Sequence, residues 1–367
     1  MNNTRKIIAL VTNDLIQDQR MHRVCSALHE KGYNVTLVGK KSQQPISKLG
    51  LGFKTLRLSF MFKKGFLFYL ETIFRYFFLL MHQRPHLVWA VDTDTIIPSI
   101  IFKKFYQSKV IFDAHEYFHE VPELNKKPLK KWIWKKVGNI FIPKANAHIT
   151  VGHALADILT KEYNRHFNVL RNVPVIKDVS SSKSTEKKYI LYQGVLNEGR
   201  GLEILISAMQ KIKELELWIA GEGDLSNLLR MKAATSTQRH RINFLGWMIP
   251  EELEKITRNA YLGINILSSD SLSYRYSLAN KFFDYIHAEV PSVNMNYPEY
   301  AAILKEWPVG IMVDILNEDE IADAINNLNK NENKYAILKE NTKRAKINFH
   351  WGKEKSILND ILASIGI

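Results

Sequence analysis

Short apolar runs recur along the whole chain, each followed by a segment of helical character, and this alternation narrows the fold more than any other feature. In the first half the runs fall at 7–12, 34–38, 87–91, 110–113 and 148–151, with helical segments at 20–31, 66–83, 95–105, 129–144 and 153–163. In the second half they fall at 189–193, 216–220, 242–245, 262–266 and 292–295. Strands alternating with helices predict an α/β architecture with parallel sheets. A chain of 367 residues has room for two such cores. The predicted division is a doubly wound, Rossmann-like domain over 1–174, a linker over 175–188, a second such domain over 189–350, and a last helix over 351–367. The linker follows Asn172-Val173-Pro174 and is rich in Ser and Lys. Two doubly wound domains facing a central cleft would present ligands to the carboxyl ends of their strands.

Apolar content of 46% and charged content of 24% are those of a soluble globular protein. The single cysteine, Cys25, precedes apolar Ala27 and Leu28 and reads as a small core residue. One cysteine excludes an intrachain disulfide framework and fits a reducing cytoplasm. The first apolar run is too short for an export signal, and the stretch 65–81 is interrupted by Glu71 and Arg75, so no membrane span is expected. Charge is unevenly placed. Residues 1–174 hold 27 Lys+Arg and 12 Asp+Glu, a balance of +15, leaving 24 of the 51 basic and 25 of the 37 acidic residues for 175–367, a balance of −1. A basic half suits an anionic surface. Nucleic acid is not expected as a partner, because no nucleic-acid-binding module is present.

Two stretches of the second half carry chemistry. Gly194-Val-Leu-Asn-Glu-Gly-Arg200-Gly201 follows a strand and leads into a helix with Leu202, Leu205, Ile206 and Met209 at apolar positions. Glycines let backbone N–H groups approach an anion, a helix start adds partial positive charge, and Arg200 supplies a fixed cation. Some seventy residues on, Ser277, Asn280 and Lys281 stand at another helix start, with Asp284 one turn further in. A carboxylate there can accept both hydroxyls of a ribose while the helix start holds phosphates. The pair describes a site for a nucleotide diphosphate and for what it carries.

These residues resemble the donor half of a GT-B glycosyltransferase, close to the retaining group called glycosyltransferase family 4. The matching pieces are Gly194…Arg200-Gly201, Ala220-Gly221-Glu222-Gly223, Phe244-Leu245-Gly246 and Tyr276…Asp284. Departures are Val195 where many members place a first phosphate-binding Arg, Tyr276 and Asp284 at the two Glu positions of a Glu-x7-Glu motif, and Ala288-Glu289 for a common Ala-Gly. The resemblance implies transfer of a sugar from a nucleotide diphosphate sugar, UDP on family frequency, with retention of configuration and without metal or other cofactor. Arg200, Lys281 and Asp284 would be catalytic, with Gly201, Gly221, Gly223, Tyr276, Ser277 and Asn280 binding the donor. A last helix over 351–367 would cross back to the first domain. Two alternatives share the fold: a nucleotide-sugar epimerase, and a silent sugar-nucleotide-binding module in which Val195, Tyr276 and Glu289 are decay.

In the first half, Asp113-Ala-His115-Glu116 follows a strand, which delivers a histidine and carboxylates to its carboxyl end. No cysteine and no second histidine at helical spacing completes a zinc set, so no metal is expected. The resemblance places His115 near the transferred sugar and makes Glu116 available to the acceptor. Thr12-Asn13-Asp14 ends the first strand, with Asn13 and Asp14 expected at the ligand. The resemblance turns the loop that carries Asp18 and Arg20 toward the donor sugar and acceptor; the alternative is that Asp18 caps the following helix and Arg20 lies at the surface.

Two segments mix rings with lysines. The segment 60–80 interleaves Phe62, Phe66, Phe68, Phe74, Phe77 and Phe78 with Lys63, Lys64 and Arg75. The segment Lys126–Lys144 sets Trp132, Ile133, Trp134, Val137 and Phe141 among seven lysines. Rings at headgroup depth with cations on anionic lipid define an interfacial helix. The first segment is expected to pack its rings into the core. The second is expected on an anionic membrane, where a cytoplasmic, peripherally bound enzyme would meet a glycan or lipid-linked acceptor.

Overall fold

In the computed structural model, whose described residues are 5–16, 18–41, 50–177 and 188–367, each apolar run forms a strand. The first sheet comprises β1 (Lys6–Asp14), β2 (Asn34–Lys40), β3 (Lys54–Leu58), β4 (Leu87–Val91), β5 (Lys109–Ala114), β6 (Ala147–Thr150) and β7 (Asn168–Val169). The second comprises β8 (Tyr189–Gln193), β9 (Glu216–Ala220), β10 (Ile242–Gly246), β11 (Leu262–Asn265), β12 (Ser292–Met295) and β13 (Gly310–Val313). Every pairing is parallel. The orders are β3-β2-β1-β4-β5-β6-β7 and β10-β9-β8-β11-β12-β13. In each sheet the order reverses beside the first strand, between β1 and β4 and between β8 and β11, the switch point where doubly wound folds take ligands.

The central strands are buried along their whole length, as β4 and β8 show. Helices cover both faces of such a sheet, which is why these runs are continuously apolar. Burial of each Leu, Ile or Val is worth about 1.5–3 kcal/mol, so they dominate the stability of each unit. Cys25 is fully buried on helix Gln19–Glu30, and its thiol pKa is pushed up by burial.

The chain divides into two compact units, Met1–Asn172 with Glu354–Ile367, and Val173–Lys353. The terminal helix Trp351–Ser364 therefore begins in the second unit and runs into the first. There the buried Glu354 accepts the Arg171 amide at 2.7 Å, and Lys355 pairs with Glu30. Of the predicted linker 175–188, residues 178–187 lie outside the described residues, and 175–177 are irregular.

One expectation is corrected here. Helix Phe66–Gln83 buries Phe68, Thr72, Tyr76 and Leu80. Its other rings do not enter the core: Phe66 is 75% exposed, Phe74 55% and Phe78 65%. An amphipathic helix has one buried stripe, and this one carries a second apolar stripe with no sheet beneath it.

Candidate functional site

In the second unit the glycine-rich turn leaves β8 and enters helix Leu202–Ala208. Backbone bonds tie it to its neighbours: the Gly194 amide donates to Ala220 O at 3.0 Å, Leu196 to Glu222 O at 3.2 Å, and Gly221 to Gly246 O at 2.7 Å. The carboxyl ends of β8, β9 and β10 are thereby stacked chain against chain. Gly221 has φ 141°, and a Cβ there would lie 1.9 Å from Gly194 O, so only glycine closes this stack. A Cβ on Gly223 would lie 2.6 Å from Leu196 O, and Gly201 is buried at the helix start with φ 69°.

Two cations meet at this turn. Arg200 lays its guanidinium 4.8 Å from the Tyr274 ring centre, and its Nε is buried without a hydrogen-bond partner. Lys281, in the first turn of helix Asn280–His287, is buried with Nζ 3.7 Å from the Tyr192 ring centre, also without a hydrogen-bond partner. Burial holds the lysine pKa well below its usual value. The neighbouring Arg200 charge lowers it further, and Asp284 opposes them. Like charges in a dry site are costly unless an anion joins them.

Asp284 is fixed from behind. Gln193 donates from Nε2 to Asp284 Oδ2 at 2.9 Å, and the Thr257 hydroxyl donates to Gln193 Oε1 at 2.7 Å. Asn280 opens the helix and is exposed, as a ligand contact requires. Ser277 donates its hydroxyl proton to Tyr274 O at 2.8 Å, and the half-buried Tyr276 closes the short helix Leu272–Arg275. The structure thus gathers Arg200, Gly201, Gly221, Gly223, Tyr276, Ser277, Asn280, Lys281 and Asp284 around the carboxyl ends of this sheet.

In the first unit a charged cluster occupies the ends of β1, β4 and β5. Asp113 is fully buried and takes Arg20 Nη2 at 2.7 Å, Arg20 Nε at 3.1 Å and Trp89 Nε1 at 3.0 Å. Burial opposes its ionisation, but Arg20 and His115 outweigh that and hold its carboxyl well below the usual range. His115 Nε2 lies 3.3 Å from Asp113 Oδ2, and its amide donates to Asp92 at 2.9 Å. Burial lowers the imidazole pKa, yet Asp113 and Asp92 raise it overall to about 8. Asp94 accepts the Thr12 hydroxyl at 2.5 Å, its Oδ1 is buried with no partner, and burial pushes its carboxyl up to about 6. Asn13 donates to Asp18 at 2.9 Å, and Asp14 faces Arg57 at 3.9 Å; both stand at the end of β1. Glu116 is exposed on the loop after β5.

Residues 176–345 match the family described as Glycosyl transferases group 1, and residues 17–173 match Glycosyltransferase Family 4. This chain belongs to the GT-B glycosyltransferases of the family 4 type. The uncharacterized glycosyltransferase MJ1607 of Methanocaldococcus jannaschii is 37% identical over 78 residues, a match spanning 20% of each chain. In fold the chain is similar to Anabaena HepE in complex with UDP-glucose, with TM-score 0.80, 13% identity and coverage of 98% of this chain and 99% of that one. It is also similar to a sucrose-phosphate synthase from Thermosynechococcus elongatus, with TM-score 0.79, 13% identity and coverage of 98% and 99%.

Within this glycosyltransferase the departures now have a setting. Val195, at the position of the family's first Arg, points to solvent at 48% exposure. Lys281 lies 3.7 Å from where a Cβ on Gly194 would be, so a cation reaches the turn from the facing helix instead. Glu289 adopts φ 61°, the left-handed conformation that favours the glycine common there, and its carboxylate lies 3.7 Å from Lys346.

Three expectations change. Arg20 is buried, not at the surface, because Asp113 and Leu170 O bind its guanidinium. Lys131 is bound to Glu120 at 2.6 Å, and Trp134 packs edge-on against Tyr69 and Phe118. Of that segment's two tryptophans, Trp132 is the one exposed, at 57%. Sequence reading also passed over Gln193, Tyr192, Asp92 and Asp94. The two aspartates follow β4 directly, so the strand-end rule would have found them. Nothing local marks Tyr192 or Gln193.

Proposed function

We propose that the protein transfers a sugar from a nucleotide diphosphate sugar, UDP-linked by preference, to a glycan or lipid-linked acceptor with retention of configuration. The observation that carries this reading is the pair Arg200 and Lys281, two cations at the carboxyl ends of a doubly wound sheet whose Nε and Nζ have no acceptor. A diphosphate supplies the missing anion, and Asp284, held by Gln193, accepts the ribose hydroxyls. In the reaction the bond from the sugar C1 to the β-phosphate oxygen breaks, and negative charge grows on that phosphate. Arg200 and Lys281 stabilise it without a metal. The acceptor oxygen bonds to C1 on the same face, and its proton passes to the departing phosphate, so no enzymatic nucleophile is needed. The first unit, with His115, Glu116, Asn13 and Asp14, is assigned to the sugar and acceptor.

The HepE–UDP-glucose complex shares this fold, which supports the uridine preference. Segment 126–144, with Lys127, Lys130, Lys135 and Lys136 exposed, would keep the enzyme on anionic lipid carrying an envelope-type acceptor.

The test is slow hydrolysis of UDP- and GDP-sugars, with and without EDTA, in wild type and Arg200→Ala. Loss of one charge-stabilising donor should lower turnover about 10²–10³-fold. Full activity in Arg200→Ala, or strict dependence on Mg²⁺, overturns the reading. Sugar interconversion without nucleotide release identifies an epimerase, and binding alone identifies a silent module.

A further inference from the structure

We propose that the outer face of helix Phe66–Gln83 is an apolar wedge that enters the hydrocarbon edge of an anionic bilayer. The inference rests on the reading that the protein works at a membrane surface, and adds the element that penetrates it.

The face is built by helical spacing. Phe66, Leu70, Phe74 and Phe78 recur every fourth residue and form one stripe, with Leu67 beside it. The three steps between them cover roughly 18 Å of helix at about 1.5 Å per residue. Helix Phe66–Gln83 packs on helix Asp92–Phe105, which packs on helix Pro128–Phe141. Phe77 meets Phe105 at 6.2 Å between centroids, and Tyr69 meets Trp134 at 4.8 Å. Phe105 is itself 66% exposed, and Leu129, Trp132 and Ile133 continue the apolar surface onto the third helix. A phenyl ring presents about 150–250 Å² when bare, so Phe66, Phe74, Phe78 and Phe105 alone leave on the order of 500 Å² uncovered. That is near the upper end for the largest patch on a soluble monomer.

Charge selects the occupant. Lys63 and Lys64 stand exposed directly before the helix, Lys104 stands beside Phe105, and Lys127, Lys130, Lys135 and Lys136 flank the third helix. The one acid between Glu30 and Asp92 is Glu71, and it does not face outward as a free charge. Its carboxylate accepts the Met61 amide at 2.9 Å, the Phe62 amide at 3.0 Å and Arg75 Nε at 2.6 Å. Glu71 thus staples Met61 and Phe62 to the helix start, where both side chains are exposed. A second copy of the chain would set this ring of lysines against itself. A bilayer edge with anionic headgroups matches both the rings and the lysines.

The experiment is co-sedimentation with vesicles of phosphatidylcholine and phosphatidylglycerol at about 0.1 M and 1 M NaCl, where the Debye length falls from about 10 to about 3 Å. Wild type should bind at both salts. A triple variant, Phe66→Ser, Phe74→Ser and Phe78→Ser, should bind at low salt and lose at least about ten-fold at high salt, where the lysines are screened. A quadruple variant, Lys127→Ser, Lys130→Ser, Lys135→Ser and Lys136→Ser, should lose the low-salt gain and keep the salt-resistant part. NBD attached to Phe78→Cys, with Cys25 buried and unreactive, should shift to the blue on vesicles. If the triple variant matches wild type at high salt, or the NBD emission does not move, the wedge is wrong while surface binding stands. If wild type ignores vesicles at low salt, the membrane reading itself fails. Self-association of wild type that the triple variant abolishes, with vesicle binding unchanged, assigns the face to a second copy and overturns the proposal. Donor hydrolysis and thermal unfolding of each variant report that the fold is intact.

Discussion

Lys281 is buried beside Arg200, so the folded chain holds its proton less readily than the unfolded chain does. The sign follows from linkage: a base with a depressed folded pKa destabilises the fold most below that pKa, and the penalty fades as pH rises toward about 10.4. Lys281→Met should therefore unfold at higher temperature than wild type near pH 7, by about 1–4 kcal/mol, with the gap closing toward pH 10. The same variant should bind UDP roughly ten- to a hundred-fold more weakly, as loss of a charged hydrogen bond predicts. Thermal unfolding across pH and UDP titration calorimetry check both halves; equal stability at pH 7 would refute the first. The opposite sign holds at His115, whose pKa is raised from 6.5 to about 8. Its pairing with Asp113 is fully stabilising below about 6.5 and is lost as pH rises through about 8. Asp113→Asn removes the charge that compensates buried Arg20 and should cost about 3–5 kcal/mol in denaturant unfolding, with the pH dependence between 6.5 and 8 largely gone. Arg20 illustrates a limit of sequence reading. It follows a helix cap, a position usually wet, and Asp113 and Leu170 O, both far along the chain, take it inside.

At the scale of elements, the chemistry depends on how closely three strand ends approach. Gly221→Ala places a methyl group on Gly194 O and asks for a conformation that alanine rarely adopts. The β8–β9 connection must then part, with an expected stability loss above about 1–3 kcal/mol and loss of nucleotide binding. Chemical denaturation and a UDP thermal shift would read this; a variant that binds UDP normally would show that the stack is dispensable. Elements buried on both faces were legible in advance, since β4 is apolar throughout and β8 is apolar or aromatic up to its last residue, Gln193. The strands β3, β7 and β13 were not. The first is an edge strand carrying Lys54 and Arg57, the second has two residues, and the third has four with Met312 exposed. Helix Phe66–Gln83 shows a subtler limit. Its bounds follow from spacing, but apolar residues on opposite faces give periodicity no means of telling which face the sheet covers.

For the molecule as a whole, two sheets of like strand order carry very different charge, +15 over residues 1–174 and −1 over 175–367. The cations that would meet the donor are few and enclosed, whereas the lysines of segment 126–144 are mostly exposed. Salt screens exposed charges far more than enclosed ones. Raising NaCl from about 0.1 to 1 M should thus remove the lysine-dependent gain in vesicle binding, leaving the salt-resistant part, while donor hydrolysis in free solution changes little. Parallel measurements of the two would check this, and a joint decline would show that the donor site is as open to ions as the lysine-rich surface. Ionic strength would then act as a dial on the enzyme's address and leave its catalytic competence alone. A cell could release or recruit the protein by altering the anionic lipid beneath it, with no change to the nucleotide site.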